Sequence, residues 1–169
     1  MGNDDLVIGN RHFTSRFILG SGKFSLEMTK RVIEEGQVQI ATMAVRRTNK
    51  NGRENVLDFM PAGITLLPNT SGARSAEEAL RIAELARELG CGEMIKIEIV
   101  RDSRYLLPDN AETVKAVKLL ADNGFQPLPY MMPDLTAAHD MAAAGAAAIM
   151  PLGSPIGSNR GLLTRDFIR

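Results

Sequence analysis

The sequence predicts an α/β fold of the (β/α)8 TIM-barrel type, with about six βα units present and the C-terminal part missing. Three observations predict it. Short runs rich in Ile, Val, Leu and Met alternate with segments of helical periodicity, the pattern of βαβ units on a parallel sheet. The runs begin about every 26 residues, so eight units need roughly 210 residues plus ends, within the usual range of such a barrel. Glycines also stand where the helical segments should stop, just ahead of the next strand. On spacing alone, an open doubly wound sheet is the alternative.

Taken in order, the elements begin with a β-hairpin of Leu6–Ile8 and Phe13 about Gly9-Asn10, which in a barrel would close the bottom. Strands are expected at Phe17–Leu19, Ile40–Val45, Ile64–Leu67, Met94–Val100, Pro127–Met131 and Ala147–Met150. Helices are expected at about Ser25–Glu35, Ser75–Leu89, Ala111–Asn123 and Leu135–Ala144. The second helix carries the fullest signature. Ser75-Ala-Glu-Glu78 is a capping box, in which a hydroxyl and a carboxylate satisfy each other's free amides. Ala79, Ile82, Ala83, Ala86 and Leu89 then share one face, and Gly90 stands where a left-handed residue ends the helix. Gly124 and Gly145 end the next two helices in the same way. Thr48–Gly63 reads as a loop with at most a turn or two of helix, and Leu162–Arg169 as the opening turns of a sixth helix. The chain thus reads as one barrel domain over 1–169, preceded by a short hairpin and truncated at the C-terminus.

The totals exclude several classes of function. Lys plus Arg equal Asp plus Glu at 20 each, so nothing points to a nucleic acid or an anionic membrane as partner. At 44% hydrophobic residues in 169, the chain is neither disordered nor fibrous and has enough residues for a sizeable core. Cys91 is alone, which excludes an intramolecular disulfide and a cysteine metal cluster; no metal and no cofactor are assigned. The opening residues lack the basic and apolar regions of a signal peptide. Leu6 also stands where a myristoylation signal beginning Met1-Gly2 needs Ser or Thr. No apolar run approaches a membrane span, and a cytoplasmic, reducing compartment is expected.

Met94-Ile-Lys-Ile-Glu-Ile-Val100 carries the chemistry. Side chains alternate across a strand, so Ile95, Ile97 and Ile99 face the helices while Met94, Lys96 and Glu98 face the interior. The Cα atoms of Lys96 and Glu98 then lie ~6.6 Å apart at a rise of ~3.3 Å per residue. A desolvated lysine favours the neutral, nucleophilic amine, and a carboxylate two residues on can shuttle protons at the carbon attacked. Glu98 lies nearer the C-terminal end of the strand, where barrel active sites form. An internal ion pair that only stabilises the barrel is the competing reading.

Loops at the same end offer further candidates. After the sixth strand, Gly153 and Gly157 let backbone amides turn towards a ligand, and Ser154 and Ser158 add hydroxyl donors suited to an anion or sugar. An ordinary glycine-rich connection accounts for them equally well. Gly20-Ser-Gly-Lys23 lacks the spacing of a nucleotide P-loop. Arg46 and Arg47 suit a phosphate, an interface carboxylate or plain solvation, and Asn69-Thr-Ser-Gly72 either lines the mouth or caps a helix. His12 and His139 read as surface or packing residues, and Met131-Met132 as soft packing.

Taken together, these pieces resemble the bacterial thiazole synthases, which build the thiazole phosphate half of thiamin. The matching stretches are Leu19-Gly-Ser-Gly-Lys23, Ala44-Val-Arg-Arg47, Leu66-Leu-Pro-Asn-Thr70, Met94-Ile-Lys-Ile-Glu98, Leu106-Leu-Pro-Asp109, Leu128-Pro-Tyr130 and Ala148-Ile-Met-Pro-Leu-Gly-Ser-Pro-Ile-Gly-Ser158. They keep the family's order across nearly all of the chain. The resemblance implies a (β/α)8 barrel acting on 1-deoxy-D-xylulose 5-phosphate, with Lys96 forming an imine, Glu98 as acid/base and Gly157 touching substrate. It further implies sulfur from a sulfur-carrier protein thiocarboxylate, a C–N unit from dehydroglycine, and a homo-oligomer, dimer or tetramer. The family's seventh and eighth strands, which supply a second carboxylate and the phosphate loops, have no counterpart in these residues. Truncation is therefore favoured over a doubly wound sheet, and the 169 residues alone are expected to be inactive, with exposed edges at the first and sixth strands. Two alternatives stay open: a class I aldolase-type Schiff-base lyase, and a non-catalytic sugar-phosphate-binding barrel.

Overall fold

The computed structural model describes residues 4–22, 25–45 and 60–168. A two-stranded antiparallel hairpin, β1 (Leu6–Ile8) with β2 (Arg11–Phe13), leads the chain. Next comes a six-stranded parallel sheet in chain order: β3 (Ile18–Gly20), β4 (Ile40–Ala44), β5 (Thr65–Asn69), β6 (Met94–Ile97), β7 (Gln126–Met131) and β8 (Met150–Pro151). The helices are α1 (Leu26–Glu35), α2 (Ala76–Glu88), α3 (Asn110–Asp122) and α4 (Leu135–Ala143). The sheet curls into a half-barrel, an α/β fold of partial TIM-barrel form with β3 and β8 at its edges. Among the described residues no helix is long and apolar enough to cross a membrane.

Alternation along the strands produces two cores. Ile95, Ile97 and Ile99 point outward and pack with Ala79 and Ala83 of α2 and with Ala116, Val117 and Leu120 of α3. Alanine at four buried positions of α2 lets that helix approach the sheet closely. On the concave side Met94 meets Ile40, Leu67 and Leu128. The hairpin adds Ile8 and Phe13 to this inner core and ties down at the strand starts, where Arg11 Nη1 donates to Thr65 Oγ1 at 2.9 Å. Its turn favours Gly9, which has φ +58, and a Cβ there would have to displace the end of the Gln126 side chain.

Each helix is started by a side-chain acceptor: Ser25, Ser75, Asp109 and Asp134 take the amides of Met28, Glu78, Glu112 and Ala137. Gly90, Gly124 and Gly145 come after the last turns at φ +82, +80 and +104, as the helix-ending pattern requires. The box at Ser75 closes differently from expectation. Glu78 Oε2 accepts from the Arg74 amide at 2.8 Å, one residue earlier than a reciprocal box. The Ala76 amide is taken by Glu112 Oε1 of α3 at 3.1 Å.

Glu112 therefore joins two helices. Its other oxygen accepts from Arg101 Nη2 at 3.2 Å and Lys115 Nζ at 3.1 Å. The Ala76 amide and then Lys115 hold its carboxyl below the usual carboxylate range. A depressed carboxyl stabilises the fold above its unfolded pKa and loses that contribution as pH falls through its folded one. Glu112→Ala is expected to cost about 1–3 kcal/mol near neutral pH. The melting-temperature gap to the unsubstituted protein should hold down to about pH 4 and close below it, and a gap that stays unchanged well below that pH would contradict the assignment.

Three expectations need correction. The paired part of β6 ends at Ile97, not Val100, because the chain beyond it is held by a loop instead of a strand. The last strand is Met150–Pro151, not Ala147–Met150. The Pro127 carbonyl accepts from the Ala147 amide at 2.8 Å, so the β8-facing positions of β7 include Pro127 and Pro129, which have no N–H to return. Continuous pairing begins only past them, at Tyr130↔Met150. Leu162–Arg169 gives no α-helical turns among its described residues, only a 3₁₀ turn at Arg165–Phe167. Most of the loop expected at Thr48–Gly63 lies outside the described residues.

Candidate active site

The concave side presents Lys96, on β6, and Glu98, just past the end of that strand. Lys96 pairs in register with Asn69 of β5 and Leu128 of β7, which fixes its level on the concave side. Its Nζ lies 2.7 Å from Glu98 Oε1, with 18% and 13% of the two side chains exposed. This is a charge-assisted hydrogen bond, largely removed from water yet reachable from the mouth. A proton held between an amine and a carboxylate at that distance passes between them without rearrangement.

Tyr130, the next interior residue along β7, forms one wall. Lys96 Nζ sits 5.6 Å from its ring centroid, within cation–π range, so a positive charge on that nitrogen faces the ring's negative π surface. Burial, and after it the charge of Glu98, pushes the phenol up to about 12, so it stays protonated across the neutral range. Its hydroxyl reaches Leu106 O at 3.4 Å, connecting the wall to the β6–α3 loop. Leu106 has φ +55, a left-handed conformation that is strained for a bulky residue.

Asn69-Thr-Ser-Gly72 is neither helix cap nor simple rim. Asn69 Oδ1 accepts from the Ser71 amide at 3.2 Å, and the Thr70 amide donates to Lys96 O at 3.0 Å. The Thr70 hydroxyl accepts from Glu98 N at 2.9 Å and donates to Glu98 O at 3.1 Å. Sequence reasoning placed Thr70 in a stretch that either lines the mouth or caps a helix but missed its clasp on Glu98, and it missed Tyr130 as a wall of the site. The only signal for Tyr130 was its place within a family-like stretch.

Gly153, Ser154, Gly157 and Ser158 share one loop after β8. Its core is a turn closed by Ser158 N donating to Pro155 O at 3.1 Å, with Gly157 at φ +79 in the third position, where a glycine is favoured. Leu163 N donates to Gly153 O at 2.8 Å, and Thr164 Oγ1 to Leu152 O at 2.6 Å. Ser158 Oγ is buried without a hydrogen-bond partner. Among the described residues no hydrogen bond links this loop to Lys96 or Glu98. The loop leaves β8 just past the level of Tyr130.

The remaining candidates fall away from this centre. Ser21 continues the sheet ladder, its amide and hydroxyl both donating to Thr42 O at 3.1 and 2.9 Å. Lys23, Arg46 and Arg47 lie outside the described residues. His12 and His139 lie on β2 and α4, both exposed at the surface. The methionine pair divides: Met131 is core, whereas Met132 is 37% exposed.

A parallel (β/α) half-barrel with a close amine–carboxylate pair on its concave face belongs to the class of α/β-barrel proteins that place their chemistry at the C-terminal ends of the strands. Comparison with known proteins narrows this class. The Thiazole biosynthesis protein ThiG family matches residues 7–169, and the chain belongs to that family. It is 66% identical over 167 residues to a thiazole synthase of Campylobacter jejuni (strain RM1221), covering 99% of this chain and 65% of that protein. It is 58% identical over 169 residues to a thiazole synthase of Clostridium beijerinckii, covering 100% of this chain and 66% of that one. The crystal structure of the Amycolatopsis orientalis BexX/CysO complex superposes with a TM-score of 0.79 at 32% identity, over 95% of this chain and 67% of the solved one. The chain thus spans about two thirds of the length of the curated relatives it matches.

Proposed function

We propose that these residues carry the imine chemistry of a thiazole synthase in thiamin biosynthesis, a transferase acting in the cytoplasm. It forms thiazole phosphate from 1-deoxy-D-xylulose 5-phosphate, dehydroglycine and the thiocarboxylate of a sulfur-carrier protein. The observation that carries this reading is the 2.7 Å contact between Lys96 Nζ and Glu98 Oε1 on the concave face. In this reading the lysine amine adds to the sugar ketone and water leaves, giving the imine. Glu98 then moves a proton from the neighbouring carbon, so that the carbonyl is transposed along the chain ahead of attack by the thiocarboxylate. Condensation and dehydration close the ring.

Gly153, Ser154, Gly157 and Ser158 line the sugar phosphate in this proposal, with Gly157 touching it. Support comes from the turn that directs this loop's backbone and from the unpartnered Ser158 hydroxyl. The working protein is a homo-oligomer, dimer or tetramer, and the described half-barrel is part of a single barrel domain. Since the relatives are half as long again, a preparation limited to these 169 residues is expected to make no thiazole phosphate.

Borohydride reduction of the full-length protein with 1-deoxy-D-xylulose 5-phosphate, and then peptide mass analysis, tests the reading. A sugar adduct on Lys96 is expected. Its absence would leave a barrel that only binds sugar phosphate. An adduct whose turnover needs no carrier thiocarboxylate would instead indicate a class I aldolase-type lyase.

A further inference from the structure

We propose that Thr70 is a positioning residue for proton transfer, its hydroxyl fixing the Glu98 carboxylate where strand pairing has stopped. The inference rests on the reading of Lys96 as imine-forming and Glu98 as proton-transferring. The β5–β6 ladder is short, with Asn69↔Lys96 as its one register pair. Past that pair, the Thr70 amide donates to Lys96 O at 3.0 Å. Beyond it, Glu98 is held by a single side-chain atom. Thr70 Oγ1 accepts from Glu98 N at 2.9 Å and donates to Glu98 O at 3.1 Å. One hydroxyl has one proton and two lone pairs, so a single atom serves both roles.

The main chains meet again only at Ala73 and Ile99, where Val100 N donates to Ala73 O at 3.3 Å. Thr70 thus spans a gap in the pairing of the strand that bears the carboxylate, and it is wholly buried at 0% exposure. Gripping both the N–H and the C=O of Glu98 restricts the torsions on either side of its Cα and therefore the direction of its side chain. That direction sets the 2.7 Å approach to Lys96 Nζ. Filling the same space would need no hydroxyl, and valine would do it. The hydroxyl is what holds the carboxylate on line, and a misplacement of about 1 Å at reacting atoms can cost 10²-fold.

The step that senses this placement is proton removal from the carbon beside the imine. The C–H pair moves into the new C=C bond, the imine π pair moves onto nitrogen, and Glu98 takes the proton; reversal in D2O returns deuterium with no net redox change. The full-length protein, Thr70→Val and Thr70→Ser are each incubated with 1-deoxy-D-xylulose 5-phosphate in D2O. Lys96 trapping by borohydride and deuterium in the recovered sugar are both measured. Thr70→Val is expected to trap within about threefold of the unsubstituted protein while exchanging about 10- to 100-fold more slowly. Thr70→Ser, which keeps the hydroxyl, should exchange within about threefold. If Thr70→Val does not fold, Thr70→Cys takes its place in the comparison, its weak thiol standing for the lost hydroxyl. Undiminished exchange in Thr70→Val, or exchange equally slow in Thr70→Ser, overturns the role of Thr70. Absence of any Lys96 adduct in the unsubstituted protein overturns the underlying imine reading instead.

Discussion

Lys96→Arg is expected to abolish the trapped sugar adduct and to lower thiazole phosphate formation by at least about 10⁴-fold. The substitution is informative because it keeps the positive charge. A guanidinium can still pair with Glu98, whose carboxylate lies 2.7 Å from the native amine, so the interior loses no counterion. It is not nucleophilic at neutral pH and cannot form the imine. Stability should move by no more than about 1–2 kcal/mol, chiefly from fitting the larger head among Asn69, Leu128 and Tyr130. A charge that merely grips an anion, or an ion pair that merely stabilises the barrel, would survive this exchange with most of its function intact. Mass analysis after borohydride, together with a product assay, separates these cases. Substantial turnover by Lys96→Arg would end the imine reading.

The frame, and the placement of Lys96 and Glu98 within it, were legible where a local rule decides the outcome. Alternation along Met94–Ile99 put the three isoleucines against α2 and α3 and left Lys96 and Glu98 on the concave side. Helix ends were legible because only a left-handed residue can follow the last turn so closely, as at Gly90. Features that depend on two distant segments were not legible. The clasp between Thr70 and Glu98 exists only because β5 and β6 run side by side, 28 residues apart in sequence. The start of β8 was misplaced because its apolar residues look paired from 147 onward, whereas the prolines of β7 withhold the donors that pairing needs. Glu112 escaped notice for the same reason as Thr70: its carboxylate completes the N-terminus of a helix 36 residues earlier.

Glu98→Gln is expected to separate imine formation from the later proton transfer and ring closure. Glutamine matches the size of glutamate and still offers an oxygen to Lys96 Nζ, but it has no carboxylate to accept a proton. Trapping on Lys96 should stay within about tenfold, because addition of the amine to a ketone does not need that carboxylate at every step. Thiazole phosphate formation should fall by about 10²–10⁴-fold, the range of a lost general acid/base. Breaking a fully buried ion pair by removing one charge costs about 3–5 kcal/mol. With 18% and 13% of the two side chains open to solvent, a smaller loss of about 1–3 kcal/mol is expected, readable as a lower denaturant midpoint. The two effects must diverge for the assignment to stand. If trapping and turnover decline together, Glu98 serves only to hold Lys96 in place. If stability falls while turnover is untouched, the pair is structural, and the proton acceptor is another group on the concave face.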